Sequence, residues 1–185
     1  MALFDAFLKL DGIKGESADS KHKGEIDVMS FSWGASQGGS QATGGGGGTG
    51  KVRFSDFSII KKTDASSPLL MLNCANGSHI KEATFTVRKA GGKQLEYLKI
   101  KLTDLLVSKY QPAGSEGILI GLLLPAVRQG VENPNSSQPG DSIPVEHVTF
   151  NFSKVEMQYQ PQGADGSAQG GPIIAGWDVK GNVKT

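Results

Sequence analysis

At 185 residues, 37% hydrophobic and 20% charged, the chain is long enough for one domain with its own core. Nineteen Lys and Arg against eighteen Asp and Glu give a formal net charge of +1, which excludes the basic footprint of a nucleic-acid binder. Cys74 is the single cysteine, so an internal disulfide and a cysteine-rich metal site are excluded.

The N-terminus lacks the succession of basic region, apolar run and small-residue cleavage site that marks a signal peptide, so synthesis in the cytoplasm is expected. No apolar run reaches the roughly 20 residues of a membrane-spanning helix. Phe4, Ala6, Leu8 and Leu10 alternate with Asp5, Phe7 and Lys9, the period-2 pattern of a half-buried strand, and Asp11-Gly12 turns the chain. After a polar loop from Gly15 to Glu25, one strand is expected with Ile26, Val28, Ser30 and Ser32 on one face and Asp27, Met29, Phe31 and Trp33 on the other. Bulk on both faces suits a strand that meets protein or a confined space on each side.

Residues 34–51 form a glycine-rich connection containing Gly34, Gly38, Gly39, Gly44 to Gly48 and Gly50. Glycine loses more conformational freedom on ordering than any other residue, so such a loop needs a partner surface to hold it still. Loops this long are functional or disordered. Gly45 to Lys51 satisfies G-x-G-x-x-G and nearly satisfies the phosphate-binding G-x-x-x-x-G-K-[ST]. Both motifs require a following helix, and the second requires a hydroxyl for magnesium. Val52 stands at the hydroxyl position and a strand pattern follows, so a nucleotide site is rejected.

Val52, Phe54 and Asp56 alternate with Arg53, Ser55 and Phe57 in a third expected strand that runs on through Ile59-Ile60. Ser66-Ser67-Pro68 then supplies a helix N-cap with proline in the first turn, and Gly77 a stop, which predicts one short helix over about 67–76. Being apolar nearly all round, it is expected to be buried against the sheet or a neighbouring subunit. Two further strands flank a turn at Ala90-Gly91-Gly92. The alternation slips phase near Asp104-Leu105 and again between Phe152 and Val155, as at the bulges or bends that curl a sheet into a barrel. Trp177, Val179 and Val183 read as a closing strand. The expected fold is all-β, a small barrel of two antiparallel sheets with one short helix and a long extended loop.

His22, His79 and His147 lie in separate segments without metal-ligand spacing, and neither G-x-S-x-G nor H-E-x-x-H occurs, so no catalytic site, metal or cofactor is expected. Cys74 on an apolar helix reads as a small core residue rather than a nucleophile.

A series of local signatures runs along the chain in order: Asp11-Gly12-Ile13-Lys14-Gly15-Glu16-Ser17, Glu25-Ile26-Asp27-Val28 leading to Ser32-Trp33-Gly34, Gly50-Lys51-Val52, Ser66-Ser67-Pro68, Val87-Arg88-Lys89-Ala90-Gly91-Gly92, Tyr159-Gln160-Pro161-Gln162 and Gly176-Trp177-Asp178. In these the chain closely resembles the Hcp (haemolysin-coregulated protein) family, tube proteins of the type VI secretion system. The resemblance implies a β-barrel with a flanking helix, assembly into six-fold rings, and stacking of rings into a tube inside a contractile sheath behind a spike protein. It also implies small effector proteins carried in the lumen and secretion without a signal peptide.

On that basis the arm, through Ser36, Gly38, Gly44, Gly48 and Gly50, is expected to order when rings stack. Ser30 and Ser32 are the expected lumen and effector contacts. Residues 112–144 depart from the family pattern as an insertion whose apolar centre runs from Ile118 to Val127, broken by Gly121 and Pro125. Too short to cross a bilayer, it reads either as a segment packed over a barrel end or subunit junction, or as an extra docking segment through Ile118, Leu122, Leu123 and Leu124. A monomeric β-sandwich carbohydrate-binding module is the alternative from another class.

Overall fold

The computed structural model describes residues 4–38, 51–89, 94–113, 143–163 and 166–185. Among them the elements are β1 (Phe4–Leu10), β2 (Ile26–Asp27), β3 (Ser30–Ser32), β4 (Ala35–Ser36), β5 (Arg53–Phe54), β6 (Phe57–Lys62), α1 (Ser67–Asn76), β7 (His79–Lys89), β8 (Glu96–Ala113), β9 (Val145–Tyr159), β10 (Ile173–Asp178) and β11 (Val183–Lys184). All the ladders are antiparallel.

The ladders close on themselves. β9 pairs along one edge with β8; its other edge pairs with β6 through Val145–Phe150 and with β10 through Lys154–Tyr159. β6 pairs with β3, β2 pairs with β1, and β1, β7 and β8 lead back to β9. Consecutive amides make the closure: Val28 N–H donates to the Ala6 carbonyl at 2.9 Å and Met29 N–H to the Ile60 carbonyl at 2.8 Å. β4 and β5 form a separate two-stranded ribbon.

Leu8, Ile26, Phe57, Phe85, Ile100, Leu102 and Phe150 fill the barrel, none more than 1% exposed. Each such side chain stabilises the fold by roughly 1.5–3 kcal/mol relative to exposure. The loop before β2 is clamped to the wall. His22 stacks on Phe7 at 4.2 Å between centroids, and the Arg88 guanidinium lies 4.8 Å from the same ring. Arg88 also pairs with Asp5 and Asp19. Its hydrogen bond, helped by the Lys21 amide, holds the Asp19 carboxyl down at about 2.

Two expected strands are broken. The Ile26–Trp33 segment leaves β1 for β6 at Val28–Met29 and shifts phase there. Ile26 and Val28 are buried, yet beyond the break Phe31 and Trp33 pack on the core, leaving Ser32 exposed. The expected third strand breaks at Ser55-Asp56, which lets Phe54 and Phe57 both turn inward.

α1 runs as expected from Ser67 to Asn76, with Pro in its first turn and Gly77 at φ 64, a conformation that costs glycine nothing. Two details differ from expectation. The Ser66 hydroxyl does not cap the helix, since it donates to Asp64. Only Ser67 and Leu70 of the helix are buried, because a helix resting on one sheet can cover only one of its own sides. Cys74 is half-buried against the core.

The β8–β9 ladder continues to Ala113 opposite Val145, so the insertion is the connection of a long hairpin. Residues 114–142, which contain Ile118, Leu122, Leu123 and Leu124, lie outside the described residues, as does the expected turn at Ala90-Gly91-Gly92.

Candidate assembly and cargo surface

The arm has a defined root. Ala35 and Ser36 pair with Phe54 and Arg53, and the Ser55 amide donates to the Gly34 carbonyl at 2.9 Å. Beneath it Trp33 lies parallel to Phe54, 6.3 Å apart and 5° between planes, and Phe54 meets Phe152 edge-on. Ser36 and Gly38 are exposed at this root; Gly44, Gly48 and Gly50 lie outside the described residues.

Past the point where β6 leaves β9, the core face continues into the open. Val155 opposes Trp177, Met157 opposes Ala175 and Tyr159 opposes Ile173. Their exposure rises along the ribbon from 5% at Val155 through 39% at Met157 to 63% at Ile173. With Trp33, Val52 and Phe54 this face lines a cavity of about 640 Å³. Among the described residues the indole N–H of Trp177 is buried without a hydrogen-bond partner, and unpaired buried donors are uncommon in a finished interior.

Ser32 belongs to a polar row that the linear sequence does not display, whereas Ser30 opposes the apolar Ile60. Ser32 opposes Ser58, Ser58 opposes Thr149, and the last two hydroxyls are 3.3 Å apart. Asp56 accepts from Ser108 Oγ at 2.6 Å and from Asn151 Nδ2 at 2.8 Å. The alternation of Ser58 with buried Phe57 and Ile59 was the available signal for this outer polar face. The His147 imidazole on the same face is pushed towards neutrality by burial and by Lys109.

On the inner side of the same ladder, Lys61 is fully buried beneath α1. Its ammonium donates to Glu146 Oε2 at 3.0 Å and Ser67 Oγ at 3.1 Å and pairs with Asp64 at 2.8 Å. Ser67 Oγ and Tyr110 Oη each donate to Glu146 at 2.8 Å, and Thr63 Oγ1 at 3.1 Å. Burial, then the Glu146 carboxylate, pushes the Tyr110 phenol up to about 12. The network joins the start of α1 to the base of the insertion.

Among the described residues no group of three or more His, Cys, Asp or Glu could hold a metal ion, and no helix is long and apolar enough to cross a membrane.

A family model described as "Type VI secretion system effector, Hcp" matches residues 7–159. Protein hcp1 of Pseudomonas aeruginosa is 43% identical over 181 residues, covering 97% of this chain and 98% of that protein. The crystal structure of Hcp1 from Salmonella typhimurium superposes with a TM-score of 0.72 at 35% identity over 100% of both chains. A second structure, described as a type six secretion system protein, reaches 0.80 at 29% identity over 98% of this chain and 99% of that one. By sequence and by fold, the chain belongs to the Hcp family, the tube or effector proteins of the type VI secretion system.

Proposed function

We propose that the chain is a tube subunit that closes into six-membered rings. The rings stack through the arm spanning 34–51, with Ser36, Gly38, Gly44, Gly48 and Gly50 in the contact, and carry small effector proteins past Ser30 and Ser32. The observation that carries this reading, on a chain of the Hcp family, is the apolar face of β9–β10 that leaves the barrel uncovered at Met157, Tyr159 and Ile173. An exposed apolar sheet face of this kind marks an interaction surface. A single face used head-to-tail, with a different surface answering it on the next copy, builds a ring when the rotation closes. Sheath and spike proteins are the further partners, and the chain is made in the cytoplasm and leaves through the system without a signal peptide.

The ring is tested by native mass measurement and negative-stain imaging of the purified chain. Six-copy rings are expected. A monomer that binds glycans through the Trp33, Phe54 and Trp177 cavity would overturn the reading in favour of a carbohydrate-binding module.

A further inference from the structure

The outer wall formed by β3, β6, the first half of β9 and the second half of β8 carries unbalanced positive charge. Ser32, Ser58, Thr149 and Lys109 stand opposite one another on four adjacent strands, and the next pair along, His147 and Gln111, lies on the same face. Lys62 shares that face, because Lys61 before it turns inward to Glu146 and successive side chains of a strand alternate. Lys62 and Lys109 are exposed, and neither has an ion-pair partner among the described residues. Asp56, at the end of the wall, already accepts from Ser108 and Asn151. Burial, then Lys109, pushes the His147 imidazole towards neutrality, so the positive field is felt at the centre of the wall.

β8 and β9 build their other outer wall differently. Where they run beside β7 and β10, Lys101 pairs with Glu82 at 2.8 Å and Lys154 with Asp178 at 3.0 Å. Charge is balanced within the chain there, and on the Lys62–Lys109 wall it is left for something else to balance. Lys62 is level with Val145 and Lys109 with Thr149, two strands apart, which separates their α-carbons by about 17 Å. Carboxylates about five residues apart on an extended chain span the same distance. Two isolated lysines among hydroxyls, with no Phe, Tyr or Trp beside them, suit a polypeptide better than a nucleic acid, which takes a track of cations and stacking rings.

We propose that this wall docks an acidic, extended stretch of effector polypeptide, its carboxylates on Lys62 and Lys109 and its polar groups over the hydroxyls of Ser32 and Ser58. The docking rests on Ser32 being an effector contact, and it gives that cargo a charge.

The test is fluorescence anisotropy with the purified full chain at low salt. The probes are a labelled peptide of alternating Glu and Ser, which sets its carboxylates on one side of an extended chain, and its Gln-Ser counterpart. The acidic peptide is expected to bind about fivefold or more tightly than the neutral one. Lys62→Gln with Lys109→Gln should weaken it about fivefold, as the loss of two exposed ion pairs does. Lys101→Gln with Lys154→Gln, the same change of net charge on the other wall, should leave it unchanged. These exposed substitutions alter stability little. Equal binding of the two peptides overturns the proposal, and so does equal loss in the two double variants, which would reduce the effect to net charge. If either result comes while Ser32→Gln still loses its co-purified effectors, the acidic preference alone falls. If the acidic peptide depends on Lys62 and Lys109 while Ser32→Gln keeps its effectors, the effector contact itself falls, and with it the effector as occupant.

Discussion

Ser153 faces Asp104 across the β8–β9 ladder, and at this rung both strands turn over together. Thr103 still opposes Lys154 and Leu105 still opposes Phe152, so no register is lost. Yet Leu102 and Leu105 are both buried, as are Phe152 and Val155, which a single alternation forbids. Asp104 absorbs the reversal with φ at 54, the left-handed region that suits Asp and Asn better than other non-glycine residues. Its carboxylate accepts from Ser153 Oγ at 2.7 Å and Lys180 Nζ at 2.7 Å and contacts His79 Nδ1 at 2.7 Å. The bend that lets the ladder leave the barrel is therefore held by one side chain.

Replacing Asp104 by Ala removes the acceptor and leaves a β-carbon in the left-handed region, whereas Asn keeps the backbone tolerance and an amide oxygen. Thermal unfolding should show a loss of several degrees for Asp104→Ala and a smaller one for Asp104→Asn. Lys180, then Ser153 and His79, hold the Asp104 carboxyl well below the usual carboxylate range. A depressed folded value gives stability that is fully present above about pH 4 and lost as pH falls through the folded value. The gap between the parent and Asp104→Asn should thus shrink as pH falls below about 4. A gap independent of pH would remove the carboxylate charge from the account.

Lys61 and Glu146 are 0% and 1% exposed, and losing Lys61 alone should cost more than losing both. Lys61→Met strands the Glu146 carboxylate at a cost of about 3–5 kcal/mol, whereas Glu146→Leu leaves the ammonium with Asp64 and Ser67 and costs less. Removing both spares the stranded charge but leaves the Tyr110 and Thr63 hydroxyls without this acceptor. The double variant should therefore recover part of the Lys61→Met loss in denaturant unfolding at fixed protein concentration. Additive single effects would show that the two charges do not act as a pair.

Much of the barrel was legible because it obeys short-range rules: alternation gave β1, β7 and β8, and the proline and Gly77 bracketed α1. The break within Ile26–Trp33 was not legible, since apolar residues stood on both sides and local pattern does not say which partner strand each half will choose. The polar row from Ser32 through Ser58 to Thr149 depends on a ladder joining residues 91 apart, and register across that distance is set by the closed barrel. The buried Lys61 escaped notice for a related reason: a lysine beside another lysine reads as a solvated strand end until Glu146 is brought opposite it.

Gly15 is a packing requirement. A β-carbon there would lie 2.5 Å from the Glu25 carbonyl oxygen and 2.7 Å from the Ile26 α-carbon, backbone atoms that cannot swing aside. The loop is also pinned at this point by Gly15 N–H to the Gly24 carbonyl at 2.9 Å. Gly15→Ala should cost about 1–3 kcal/mol, as overpacking does, and should speed hydrogen exchange in residues 16–25. An unchanged midpoint in denaturant would show that the loop can move off the wall.

Ser32 is the more exposed of the two proposed effector contacts, and its neighbour across the ladder, Ser58, is also small. A bulky residue at Ser32 therefore points away from the core and leaves packing intact. Ser32→Gln is expected to keep rings visible by negative stain while co-purified small effectors are lost. Effectors retained at parental level would place the contact elsewhere on the polar row.

The arm offers the cleanest separation of ring from tube. Its root is fixed by the β4–β5 pairs and by Trp33 against Phe54, so shortening the chain between Gly38 and Lys51 to a two-residue turn leaves the root and the apolar β9–β10 face in place. Rings should form at parental yield, and stacked tubes should be lost, because the surface that the arm brings to the next ring is gone. In the intact chain, amides from Ser36 to Gly38 and from Lys51 to Arg53 should exchange several-fold more slowly in tubes than in free rings, since ordering a glycine-rich segment requires a surface to hold it. Equal exchange in both states, or tubes formed by the shortened chain, would remove the arm from the stacking contact and leave it a connection between two strands.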